Sequence, residues 1–272
     1  MFDDNEVKAL GAYEKAAAEG IDPRCIPQTL SGLPPVGDEI VTPVYTDEDN
    51  ATWSYLYNRQ TGLLDGRVCD EYIEGVRLMG FDYNNIPSLK HLSNVLTKET
   101  GWKIGRVPGL IQAQNFFELL QQRIFPSTDY IRGSQERDYT PAPDCFHDIF
   151  GHMPLLTNPS FANFYQKFGE AALAAKGEQQ IWLERFHWFT VEFGLINTLR
   201  GRRIYGAGIV SSFTEVDHAL GDEVKVIEFD PGKIITQEYE VWHLQPVLFA
   251  IDSFAQLEDG FISWGKKEGI LN

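Results

Sequence analysis

The sequence predicts a mainly α fold with a small β element late in the chain, an α+β arrangement. Three observations predict it. Helical patterns bounded by capping residues and glycines fill the stretch from Thr46 to about Arg200. Short β-type runs occur only after that, at KVIEF, IITQEYEV and residues 245–254. The 272 residues are 43% hydrophobic and 13% aromatic, enough for a sizeable core, with no repeat or low-complexity tract.

The elements follow in order. Residues 6–19 predict a short helix ended by Gly20, and the proline- and turn-rich residues 21–45 predict an extended arm. Too little precedes the arm to fold alone, so residues 1–45 are read as helix and arm, and residues 46–272 as the main unit. Thr46 or Asp47 caps a helix to about Thr61. A second spans about 67–79, ended by Gly80; Ser88 caps a third through Leu96, ended near Gly101; a fourth covers about 112–122. Residues 142–151 read as a short helical piece, and 161–176 and 178–200 as two longer helices. Strands then follow at the three runs above, and a short helix near 255–266 closes the chain.

Composition excludes some functions. Lys and Arg total 23 against 39 Asp and Glu, a formal charge of −16 that repels phosphate backbones, so no nucleic-acid partner is expected. Cys25, Cys69 and Cys145 are odd in number and match no zinc or redox spacing, so no disulfide framework is expected. MFDDNEVKAL has no apolar signal core, and no run reaches the ~18 apolar residues of a membrane span. A cytoplasmic protein without a membrane partner is the expectation.

The most informative stretch is PDCFHDIFGHMP, residues 143–154, which sets His147 and His152 five residues apart. Five residues turn an ideal helix by about 500°, leaving the side chains about 140° apart. A shared metal therefore requires the helix to end or distort, and Gly151 and Pro154 supply a break. The alternative is a helix end with one core and one capping histidine. A third candidate ligand lies in IWLERFHWFTVEFGLINTL, apolar on nearly every face around Glu192 and hence buried. A carboxylate there is costly unless paired or metal-bound, and Arg200 and Arg202 are alternative partners. Two histidines and a carboxylate suit non-haem Fe(II) and dioxygen, and zinc hydrolysis stays open on these grounds.

PDCFHDIFGHMPLL, HWFTVEFGL and RIYGAGIVSSFTE closely resemble the aromatic amino acid hydroxylases, as do TWSYLYNRQ, NIPSL, GRVPGLIQAQNFFELL, YIRGS and DYTPAPD upstream. The resemblance covers roughly residues 45–255, with the motifs in the family's order. It implies a mainly helical catalytic domain that uses Fe(II), tetrahydropterin and O2 to hydroxylate an aromatic amino acid. His147, His152 and Glu192 match the iron ligands. Phe116 matches the aromatic residue packed on the pterin, Gly109, Leu110 and Ile111 the loop whose backbone contacts it, and Asp148 and His187 positions beside it. Arg132 matches the arginine that holds the substrate carboxylate, a task suited to its planar fork. Tyr139, Thr140, Pro143, Trp188, Phe193, Gly208 and Ser211 match the substrate pocket.

The resemblance implies L-phenylalanine as substrate and L-tyrosine as product. Val241 stands where tyrosine hydroxylases place Asp, and an apolar residue there favours the substrate without a hydroxyl. Tryptophan or tyrosine hydroxylation are the alternatives within the family. A zinc hydrolase, or a non-catalytic metal- or pterin-binding protein, are the alternatives outside it. Enzymes that recycle the pterin are expected partners, and the chain is expected to be a monomer or small homo-oligomer. It departs from the animal members in Asp148 for Glu and His187 for Tyr, and in the plainer Ala113 and Pro126. His187 could donate hydrogen bonds or titrate near neutrality. With no N-terminal regulatory domain and no heptad tail, neither activation by substrate nor a coiled-coil tetramer is expected.

Overall fold

A computed structural model describes residues 23–138, 140, 142–241 and 243–272; the helix expected at residues 6–19 and the candidate Tyr139 lie outside them. The arm is extended apart from 3-10 turns at Pro23–Cys25 and Gly37–Glu39. It is pinned at Gln28, whose N–H donates to Leu110 O (2.9 Å) and whose carbonyl accepts from Gln112 N (3.0 Å).

Helix α1 (Asp47–Leu64) starts at a capping box in which Asp49 N donates to Thr46 Oγ1 and Thr46 N to Asp49 Oδ2. Helix α2 (Asp70–Met79) starts later than expected because residues 67–69 are drawn into extended pairing with Ile204. Gly80, at φ 61°, ends it in the left-handed conformation. Helix α3 (Leu89–Thr100) runs on to Gly101, and α4 spans Ala113–Gln121. Flanking α4 is a feature absent from the sequence expectation: β1 (Lys103–Arg106) before it pairs parallel with β2 (Ile124–Ser127) after it.

After α5 (Pro159–Ala174) comes α6 (Glu178–His187), and here the expected helix over 178–200 is corrected. It stops at His187, opens into a π turn at Trp188–Glu192, and continues as β3 (Gly194–Thr198). Leu195 and Ile196 face Ala250 and Ile251 in parallel and Ile204 and Arg203 in antiparallel pairing, so the apolar stretch buries as a central strand. Gly194 and Gly206 permit this. A Cβ on Gly194 would lie 2.1 Å from the Tyr205 ring, and one on Gly206 would lie 2.3 Å from Glu192 O.

Strand β4 (Gly201–Ile204) leads to α7 (Ala207–Ser211), α8 (Glu215–Ala219), β5 (Lys225–Glu228), α9 (Pro231–Ile234), β6 (Val247–Ile251) and α10 (Phe254–Lys267). The strand expected at IITQEYEV is also corrected. Asp230 accepts from Gly232 N, and Pro231 opens a helical turn, so the residues after Ile234 become a loop. The second sheet has the order β4-β3-β6-β5. Helices thus dominate, with two small sheets, as the fold-class reading has it. Among the described residues no helix is long and apolar enough to cross a membrane.

Candidate active site

Both stretches that carry candidate ligands are π turns. Met153 N donates to Asp148 O and Phe193 N to Trp188 O, each closing a ring over five residues instead of four. Pro154 has no N–H for the carbonyl of Phe150, which accepts the Tyr72 hydroxyl instead (2.7 Å). Thr190 Oγ1 donates to Phe186 O (2.6 Å) in the second turn. The wider turn brings residues five apart towards one face. His147 and His152 therefore meet without the helix break read from Gly151; that glycine serves a close approach, its Cβ position lying 3.0 Å from Ala207 O.

The Nε2 atoms of His147 and His152 are 2.9 Å apart. Glu192 Oε1 is 3.2 Å from His152 Nε2, and its Oε2 is 3.7 Å from His147 Nε2. The three ligating atoms lie within 4.8 Å of one another. The hydroxyl of Ser211 donates to Ala207 O (2.8 Å), so its oxygen accepts from His147 Nδ1 (2.9 Å). That fixes the His147 tautomer and leaves the Nε2 lone pair facing the other two ligands. Burial pushes the His147 pKa down to about 4 against the pull of Glu192. Burial also opposes charge on Glu192, but His152, His147 and His187 outweigh it and hold the carboxylate ionised. Two imidazole Nε2 atoms converging on a carboxylate are a donor set for a divalent transition metal, which would take the place of the proton that His152 Nε2 shares with Glu192 and His147 here.

Asp144, which the sequence reading did not single out, braces this centre. It is fully buried and accepts from Arg132 N, Nε and Nη2, each at 2.8 Å, and from His147 N at 3.1 Å. Its place just before a helical turn that begins at Cys145 is that of a capping acid, and this was the available signal. Burial resists its ionisation, but the Arg132 guanidinium holds its carboxyl below the usual range. Asp148 accepts from Thr128 N (2.8 Å) and Oγ1 (3.1 Å), yet burial dominates and pushes its pKa up to about 7.

A cavity of about 410 Å³ opens beside the three ligands, within the range of small-molecule sites. Gly109, Leu110, Ile111 and Phe116 form one wall, together with Pro27 from the arm. Asp148, His187, Pro143 and Trp188 also line it, as do Ala113 and Pro126. Tyr239, another residue the sequence reading missed, stacks on Trp188 with ring centroids 4.6 Å apart, and Phe193 packs on Trp188 at 4.5 Å. Nothing in the local sequence marks Tyr239, because it lies in the loop where a strand was expected.

Other candidates stand off the cavity wall. Arg132 is 6% exposed and committed through Nε and Nη2 to Asp144. Thr140 Oγ1 donates to Ala142 O (2.8 Å). Ser211 supports His147 as described, and Gly208 lies against Phe193 and the carbonyl of Glu192. Val241 packs half-buried on the core two residues beyond Tyr239. Burial pushes the His187 pKa down to about 4 against the pull of Glu192.

The sequence profile described as biopterin-dependent aromatic amino acid hydroxylase matches residues 35–268. A phenylalanine-4-hydroxylase from Ralstonia nicotianae is 44% identical over 244 residues, covering 89% of this chain and 76% of that one. Human tyrosine 3-monooxygenase is 37% identical over 235 residues, covering 85% of this chain and 44% of that one. The crystal structure of Chromobacterium violaceum phenylalanine hydroxylase with bound iron(III) and oxidised cofactor 7,8-dihydrobiopterin superposes with a TM-score of 0.79 at 44% identity, covering 82% of each chain.

Proposed function

The chain belongs to the biopterin-dependent aromatic amino acid hydroxylases, and we propose that within that family it converts L-phenylalanine to L-tyrosine with Fe(II), O2 and a tetrahydropterin. The observation that carries this is the set of two histidines and one carboxylate on the wall of an aromatic cavity. Residues 46–272 act as the catalytic unit, and the arm closes one side of the cavity through Pro27.

On this reading His147 Nε2, His152 Nε2 and Glu192 hold the iron, which with tetrahydropterin supplies the reducing power that activates dioxygen. The protein's part is to bind, orient and exclude water. Phe116 offers a face to the flat pterin, the backbone of 109–111 offers its polar groups, and Asp148 offers a carboxyl on the same cavity. Arg132 is aimed by Asp144, and the edge of its fork not used by that acid takes the amino-acid carboxylate. Trp188, Pro143 and Tyr239 wall the aromatic ring, with Phe193 packed against Trp188. Their apolar surfaces keep water from the reacting carbon. Pterin regeneration falls to separate reductive chemistry.

The iron-bound relative favours iron over zinc at this donor set. Tyrosine hydroxylation is the second reading, supported by the human tyrosine 3-monooxygenase match and opposed by Val241. Product analysis with phenylalanine, tyrosine and tryptophan, with and without Fe(II) and tetrahydropterin, tests the proposal. Tyrosine formed from phenylalanine only when both are present supports it; turnover that ignores the pterin refutes it.

A further inference from the structure

His187 sits where its ring touches both the cavity and the metal centre. It packs edge-on to Phe116 (centroids 6.1 Å apart) and against Phe168 (5.4 Å). Its Nδ1 lies 3.8 Å from Glu192 Oε1, the same oxygen that faces His152. On the other side, its Nε2 is 3.0 Å from the hydroxyl of Tyr165. That tyrosine is fully buried and clamped by rings: Trp102 stacks on it at 5.8 Å and 16°, and Phe161 and Phe125 lie at 5.9 and 6.5 Å. Its hydroxyl is therefore a fixed point, and it does not line the cavity where water could reach it.

Hydrogen-bond accounting decides the direction. Among the described residues, His187 Nε2 is the hydrogen-bond partner of the Tyr165 hydroxyl. If Nε2 carried the proton, the phenolic O–H would be buried without an acceptor, a costly arrangement. A bare Nδ1 would then also face the carboxylate of Glu192. If Tyr165 donates instead, Nε2 is bare, Nδ1 carries the proton, and both groups are matched. The geometry points to His187 as a positioning residue: Tyr165 locks it in the Nδ1–H tautomer, and its N–H holds the Glu192 carboxylate in orientation for the metal. This rests on the reading of His147, His152 and Glu192 as metal ligands. At 3.8 Å the contact is an electrostatic one rather than a hydrogen bond. Groups behind a metal ligand typically change metal affinity by 10–100-fold.

The experiment uses Co(II) as the probe with the whole chain. Side-chain 15N NMR of the metal-free protein should show His187 protonated at Nδ1 and bare at Nε2. His187→Phe should weaken Co(II) binding about tenfold. Tyr165→Phe, which keeps the ring in its aromatic nest, should weaken it less, and the double variant should be no weaker than His187→Phe alone, as for two groups acting in series. His187→Gln offers one donor and one acceptor and should recover most of the affinity. An Nε2-protonated His187, additive losses, or unchanged affinity in the single variants would overturn the proposal. Wild-type protein that binds no Co(II) would overturn the metal reading itself, an outcome distinct from the others.

Discussion

Replacing Asp144 by Asn keeps the side chain's shape and removes its charge. Four donors converge on this fully buried carboxylate, three from Arg132 and one from His147. Breaking one side of a buried ion pair leaves the other charge uncompensated and costs about 3–5 kcal/mol. Each kcal/mol moves the midpoint of a chain this size by about 2–4 °C, so Tm should fall by roughly 10 °C. The pair is poised at both ends of the chemistry. Arg132 loses the partner that aims its fork, so the phenylalanine KM should rise tenfold or more, in line with the ~2–5 kcal/mol of a buried charge contact. The pH dependence has a definite sign. A carboxyl whose folded pKa is depressed stabilises fully above its unfolded pKa of about 3.9, and that stability is lost as pH falls through the folded value. The gap between wild type and Asp144→Asn should thus stay constant from neutral to alkaline pH and narrow only in acid. Urea melts across pH and steady-state kinetics measure both effects. A variant within about 1 kcal/mol of wild type and with an unchanged KM would show that Asp144 neither carries the stability of this centre nor aims Arg132.

Phe116→Ala removes an aromatic face worth about 0.5–1.5 kcal/mol beyond area burial, and should raise the KM for the pterin far more than that for phenylalanine; the reverse pattern would assign Phe116 to the other site. Val241→Asp should raise tyrosine turnover relative to phenylalanine, measured as the ratio of kcat/KM values, and an unchanged ratio removes Val241 from substrate choice. Glu215 concerns stability alone. It is 9% exposed, its Oε2 has no hydrogen-bond partner among the described residues, and burial pushes its pKa up to about 7 against the pull of His218. A raised carboxyl pKa means that stability is greatest below the unfolded value and is lost as pH rises through about 7. Glu215→Gln should therefore gain up to about 2–3 kcal/mol at pH 8 and nothing at pH 4, read from urea midpoints; equal gains at both pH values would contradict it.

Most helices were legible because their ends carry local chemistry: Thr46 with Asp49, Gly80 and Gly101 at left-handed ends, and Asn158 accepting from Phe161 N. The break at His187 was not legible. HWFTVEFGLINTL is apolar throughout, and an apolar run alone cannot separate a buried helix from a central strand. Its strand exists because Leu195 and Ile196 find partners some fifty residues away on β6. The same reason hid β1 and β2, four residues each, whose pairing is tertiary. At the site, the residue types and spacing of His147, His152 and Glu192 pointed to a metal, but a spacing of five could not announce the π turn that makes it workable. Roles that depend on what a side chain touches, such as Ser211 on His147 Nδ1 or Asp144 on Arg132, are invisible until the fold is closed.

One catalytic iron per chain, held by His147, His152 and Glu192, is directly open to measurement. The direct measurement is an Fe(II) titration of chelator-treated protein: each sample is loaded with Fe(II) anaerobically, then given air and tetrahydropterin and assayed for tyrosine formed from phenylalanine, for wild type and for His152→Ala. On that assignment, wild-type activity should rise linearly and saturate at one Fe(II) per chain, while His152→Ala should bind Fe(II) weakly and form no tyrosine at a similar Tm. Full activity in His152→Ala, or wild-type activity that is indifferent to iron and sustained by zinc, would contradict it.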